Sequence, residues 1–143
     1  SLMIVPGDHG EDLFEQGFLG HGHAINKRQY GTFLAINRPG MNMPGPIGLS
    51  DYRAIILSLM QGQRPSPVTR PVLMMVGDLD TPTQIGMAGE QGNITTLRLD
   101  TGTACLLESG ACENIGRLQG RARARVNELL RLWGSARWNA ASR

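Results

Sequence analysis

Apolar residues run along this chain in short blocks, each closed by glycine or proline. Leu2-Met3-Ile4-Val5 predicts a short buried strand that Pro6-Gly7 ends at once. From Pro6 to Lys27 the pattern turns polar and glycine-rich, with Leu13, Phe14, Phe18 and Leu19 as anchors, and predicts a long loop with one helical turn over 11–16. Tyr30 to Asn37 predicts the next strand, closed by Arg38-Pro39-Gly40, and 41–48 is a punctuated connection. Ser50 suits an N-cap with Asp51 in the first turn of a helix whose apolar positions are Ala54, Ile55, Leu57, Leu59 and Met60, and Gly62 suits its end. After a surface linker over 63–70, Pro71–Val76 predicts a second buried strand. Ile94–Leu99 alternates as a half-buried strand does, and Asp100-Thr101-Gly102 turns the chain towards Thr103–Leu107. Ile115, Leu118, Ala122, Val126, Leu129 and Trp133 recur at three- and four-residue steps, predicting a long amphipathic helix packed on one face. The predicted fold class is α/β, a mixed sheet flanked by helices with that amphipathic helix last.

Composition narrows the class. With 143 residues the chain fits one domain, and 41% hydrophobic against 18% charged residues excludes a disordered acidic chain and a coiled coil. No apolar run approaches a membrane span, and the first residues lack a signal-peptide pattern. A net charge of +2 names no partner, but its distribution is uneven: Asp8, Glu11, Asp12 and Glu15 precede every basic residue. Towards the other end stand Arg117, Arg121, Arg123, Arg125, Arg131, Arg137 and Arg143, of which Arg117, Arg121 and Arg125 fall at four-residue steps. Such a stripe suits phosphate or anionic-lipid contact, or simply a solvated helix face. Few aromatics argue against nucleic acid as a partner. Trp133 and Trp138 are placed to cap the core or to rest on a neighbouring surface.

Cys105 and Cys112 flank the turn signal Ser109-Gly110, which predicts a tight loop with facing thiols and, in an oxidising compartment, a disulfide. The competing reading is two small buried thiols. Six intervening residues without a nearby histidine argue against zinc there.

The chemistry concentrates near the start. His9, His21 and His23 are the only histidines, and Asp8, Glu11 and Asp12 lie among them. A divalent cation needs imidazole and carboxylate ligands brought together, and only this segment supplies them. Asp8-His9 follows directly on a predicted strand, Gly7 and Gly10 leave room for close backbone approach to an ion, and Glu11, Asp12 and Glu15 read as solvated.

A strand, then Asp8-His9-Gly10-Glu11, then Gly20-His21-Gly22, then a strand ending in Arg38-Pro39-Gly40, resembles the sulfatases. More broadly it resembles the alkaline-phosphatase superfamily, including phosphoethanolamine transferases. The likeness is specific from Met3 to Gly40, weaker to Gly62 and vague beyond. It implies an alkaline-phosphatase-like fold of which residues 1–143 form the C-terminal portion, with a metal-loop region over 1–62 and C-terminal strands and helix over 63–143. It implies Asp8 and His9 as ligands of a divalent metal (zinc, manganese or calcium), and His21 as a second-site ligand or a contact to the substrate's sulfate or phosphate group, with His23 the less favoured contact. Gly7 departs from the serine common before Asp-His, and Lys27 and Arg28 stand where acidic residues are frequent. The nucleophile of such enzymes precedes the Asp-His turn, and no Cys-x-Pro-Ser-Arg motif occurs, so this portion alone is expected to be inactive. The implied partners are a sulfate or phosphate ester and the N-terminal part of the domain. The implied location is the extracytoplasmic, periplasmic side of a membrane-anchored parent at a bacterial inner membrane. A reading of another class is a non-catalytic α/β module whose basic terminal helix docks a partner or a membrane surface.

Overall fold

The computed structural model describes residues 1–41, 43, 45–89 and 91–141, with the side chains of 138–141 excepted, so Trp138 and Arg143 lie outside the described residues. A meander of five strands dominates: β5 (Val72–Gly77), β6 (Pro82–Ala88), β7 (Ile94–Arg98), β8 (Thr103–Leu106) and β9 (Ala111–Asn114), in that spatial order. Every pairing is antiparallel, so the expected mixed sheet is antiparallel among the described residues. Turns between successive strands are short, and short links join antiparallel neighbours readily, whereas parallel pairs need a crossover. The chain is mixed α/β, with its longest helix, α3 (Gly120–Ala141), last in sequence.

Strand alternation gives the sheet two different faces. Ile85, Leu97 and Ala104 stand opposite one another in register and, with Met87, form a core with Leu118, Val126 and Leu129 from the terminal segment. Leu73, Ile115, Ala122, Leu132 and Trp133 pack around that core, so Trp133 caps it. The helix begins at Gly120, later than the apolar repeat suggests: Ile115 and Leu118 belong to the approach, where Ile115 N–H donates to Gly102 O at 2.8 Å. The opposite face carries the row Gly86, Thr96, Cys105 and Cys112. Cys105 and Cys112 are cross-strand partners joined by a disulfide, with Cα atoms 4.1 Å apart.

The same face receives the N-terminal region. Ile25 is buried against Gly86, where a Cβ would stand 2.8 Å from Ile25 Cδ1, so the glycine is required by close approach. Ile25 N–H donates to Gln84 Oε1 at 3.0 Å, and the Tyr30 hydroxyl donates to Met75 O on β5. These ties hold the loop bearing the histidines against the sheet.

In that region β1 (Ile4–Pro6) pairs with β4 (Leu34–Ile36), and the expected buried strand is an exposed ribbon, with Met3 62% and Val5 45% accessible. The helical turn expected over 11–16 is instead a hairpin of β2 (Asp12–Leu13) and β3 (Leu19–Gly20), closed by a Phe14 N–H bond to Phe18 O at 2.8 Å. Within that span Phe14 adopts φ of 71°, in the left-handed region that a right-handed helical turn excludes, and Gly17 follows at 84° to complete the turn of the hairpin. The strand expected over 30–37 is shortened by α1 (Lys27–Tyr30), because Asn26 caps it by accepting the Arg28 and Gln29 N–H groups at 2.9 Å each. A 3-10 turn (Leu49–Asp51) leads into α2 (Tyr52–Met60), which buries Ile55 and Leu59. The start of this segment is held by Asp51, not Ser50: Asp51 Oδ2 accepts the Gly48 N–H at 2.8 Å, and its other oxygen pairs with Arg70.

The arginine stripe is not intact. Arg117 precedes the helix, and Arg125 is largely buried against Glu108. Arg131 pairs with Glu128 at 2.8 Å, and Arg137 lies 3.5 Å from Asp80. Among the described residues no helix is long and apolar enough to cross a membrane.

Candidate metal and anion site

Beyond β1 the chain makes a tight turn against α1. Gly7 N–H donates to Phe33 O at 2.8 Å and Gly10 N–H to Gln29 O at 3.0 Å. A Cβ on Gly10 would sit 1.8 Å from Arg28 O, so this glycine admits the backbone of α1 and not, as expected, an ion. Asp8 and His9 are thereby projected from a braced turn.

The His9 ring faces two ways. Its Nδ1 lies 3.1 Å from Gly10 O, and since a carbonyl only accepts, Nδ1 carries the proton and Nε2 the lone pair. That Nε2 lies 3.5 Å from Asp8 Oδ2. Two ligands at about 2.0–2.1 Å from a tetrahedral zinc ion stand roughly 3.3 Å apart, so this pair fits one ion. The backbone N–H groups of Asp8 and His9 hold the Asp8 carboxyl below its ordinary range and keep it ionised.

His21 lies beside His9 with ring centroids 3.6 Å apart, and its Nδ1 donates to Glu11 Oε1 at 2.8 Å. Glu11, expected to be solvated, therefore orients His21. One ligand atom from each of His9, Glu11 and His21 falls within 4.8 Å of the others, a second arrangement fit for a cation. His23 stands apart: its Nε2 faces Leu19 O at 3.2 Å and its ring stacks on Phe18. Asp12 differs from the solvated reading, while Glu15 stays exposed as expected. Asp12 is fully buried and accepts the Gln16 N–H at 3.2 Å, while Glu15 accepts the Leu13 N–H at 2.7 Å and pairs with Arg28 at 3.0 Å.

Asp8, His9 and His21 line a cleft of about 610 Å³ between this loop and strand β5. Gln29, Tyr30 and Arg70 share it, beside the apolar wall of Val72 to Met75. The chemistry available is an ionised carboxylate with an adjacent imidazole lone pair, and a second imidazole poised by a carboxylate, all opening into one cleft. No family model, curated protein or solved structure matches the chain.

Proposed function

We propose that this chain is the C-terminal portion of a sulfatase-like, alkaline-phosphatase-superfamily domain whose parent transfers or hydrolyses sulfate or phosphate esters with a divalent metal. The observation that carries the reading is the Asp8 Oδ2 to His9 Nε2 separation of 3.5 Å, with the imidazole tautomer set by Gly10 O. Asp8 and His9 hold zinc, manganese or calcium, and zinc suits the mixed nitrogen and oxygen donors best. When bound, such an ion lowers the pKa of an attacking group and offsets charge on the ester oxygens. With His21 Nδ1–H held by Glu11, Nε2 donates to an oxygen of the transferred group in the doubly protonated imidazolium. His23, turned to Leu19 O, is a neighbour of the site and not a contact. The nucleophile comes from the N-terminal part of the parent domain, so this portion binds without turnover.

The Cys105–Cys112 bond supports an oxidising compartment, and with it the periplasmic side of a membrane-anchored parent. The basic-helix docking module is less favoured, because Arg125, Arg131 and Arg137 are engaged within the chain.

Calorimetric titration with Zn²⁺ tests the site. Binding to the wild-type chain is expected to be lost in His9→Ala and in Asp8→Asn, and retained in Glu11→Gln. Loss in Glu11→Gln with retention in Asp8→Asn places the ion among His9, Glu11 and His21 instead. Zn²⁺ binding indifferent to His9→Ala defeats both arrangements.

A further inference from the structure

Gln29 is 1% exposed and forms part of the wall of the cleft shared with Asp8, His9 and His21. Its backbone carbonyl accepts the Gly10 N–H at 3.0 Å, which places it directly beside the His9 turn. Its side-chain oxygen accepts two backbone N–H groups, from His23 at 2.9 Å and Ala24 at 3.1 Å, just past the His21 turn. Two donors on one atom fix which end of the amide is oxygen, so the other end is an NH₂ group. That nitrogen, Nε2, is buried and has no hydrogen-bond partner among the described residues. A buried donor left unpaired is costly, and such a group calls for an acceptor supplied from elsewhere.

We infer that Gln29 Nε2 is a ligand for an oxygen of the tetrahedral anion bound in the cleft. The inference rests on the proposed function and adds a neutral donor to the site. The ion and His21 act on the anion through charge, whereas a fixed amide donor selects for the position of one oxygen. Because Oε1 is pinned by the His23–Ala24 backbone, the donor is pre-oriented and needs no rotamer search on binding. The ligand class is a sulfate or phosphate monoester, whose oxygens accept without donating in return.

Phenyl sulfate and phenyl phosphate, titrated separately into the ¹⁵N-labelled chain with and without Zn²⁺, separate the two anion sources. The Gln29 side-chain NH₂ resonances are expected to move with the ester that binds. Gln29→Glu, which keeps an oxygen for His23 and Ala24 but removes the donor, is expected to weaken that ester at least tenfold without weakening Zn²⁺. Ester binding that leaves the Gln29 resonances unmoved overturns the inference, as does a Gln29→Glu affinity within twofold of wild type or a failure of both esters to bind. Should Gln29→Glu not fold, the wild-type resonances decide alone. A chain that binds no Zn²⁺ yet shifts the Gln29 resonances with an ester removes the metal reading and keeps Gln29.

Discussion

Leu129 and Leu130 are neighbours in sequence and stand about 100° apart around helix α3. Leu129 is fully buried in the cluster with Ile85, Leu97, Ala104 and Val126, whereas Leu130 is 39% exposed. Leu129→Ala removes three buried carbons and leaves a cavity between helix and sheet, at a cost of about 3 kcal/mol. For 143 residues the unfolding entropy is roughly 0.3 kcal/mol/K, so the melting temperature is expected to fall by about 10 °C. Leu130→Ala exchanges a half-solvated side chain for a better helix former and is expected to cost no more than about 0.5 kcal/mol. Urea unfolding followed by far-ultraviolet circular dichroism and by tryptophan fluorescence, at an unchanged m-value, reads both. Equal losses in the two variants, or the larger loss in Leu130→Ala, refute the packing of α3 on the sheet.

Three further outcomes follow from the same structure. The Cys105–Cys112 bond closes a short ring across β8 and β9, and chain entropy assigns it about 2.5 kcal/mol, so Cys105→Ala/Cys112→Ala is expected to lower the urea midpoint to that of the reduced wild type; identical midpoints with and without reductant contradict it. Gly10→Ala drives a Cβ into the Arg28 carbonyl, and overpacking of this kind costs about 1–3 kcal/mol; Zn²⁺ affinity is expected to drop with it, and wild-type affinity in Gly10→Ala shows that the brace is dispensable. Burial works to raise the Glu108 carboxyl, but the Arg125 hydrogen bond and charge bring it net below its ordinary value of 4.5. A lowered folded value means stability present above pH 4.5 and lost as pH falls through the folded value, so Glu108→Gln is expected to cost less than about 1 kcal/mol at pH 7 and to flatten the acid limb of a stability–pH curve. An acid limb as steep as wild type contradicts that pairing.

Elements governed by local pattern were legible in the sequence. The apolar steps of Val126, Leu129 and Trp133 match the face that α3 packs on the sheet, and β5 and β7 lie where strands were expected. Their burial differs, because β5 is a half-buried edge strand apart from Val76, while Thr95, Thr96 and Leu97 bury both faces of β7 between the helix and the N-terminal region. Strand β6 was not legible, since Pro82 and Gly86 break its pattern and Gly86 is explained only by Ile25 arriving from 61 residues away. Strand β9, exposed at every position, has no apolar signal beyond Cys112 facing Cys105. At the site, the residue types of Asp8, His9 and His21 pointed to their chemistry, and the three lie on one cleft. The Glu11 bond to His21 and the Gln29 clamp depend on the hairpin 12–20 and the cap at Asn26 folding the loop back on itself. The sequence does offer a signal for the latter, Asn26 three residues before Gln29, which marks a cap and so brings Gln29 under the histidine loop.

The most direct test of the metal site is the zinc X-ray absorption spectrum of the one-to-one complex of this chain. Imidazole and carboxylate scattering at about 2.0–2.1 Å is expected, with the imidazole signature lost in His9→Ala. A spectrum of water oxygens alone, or one unchanged in His9→Ala, contradicts a metal centre built on Asp8 and His9.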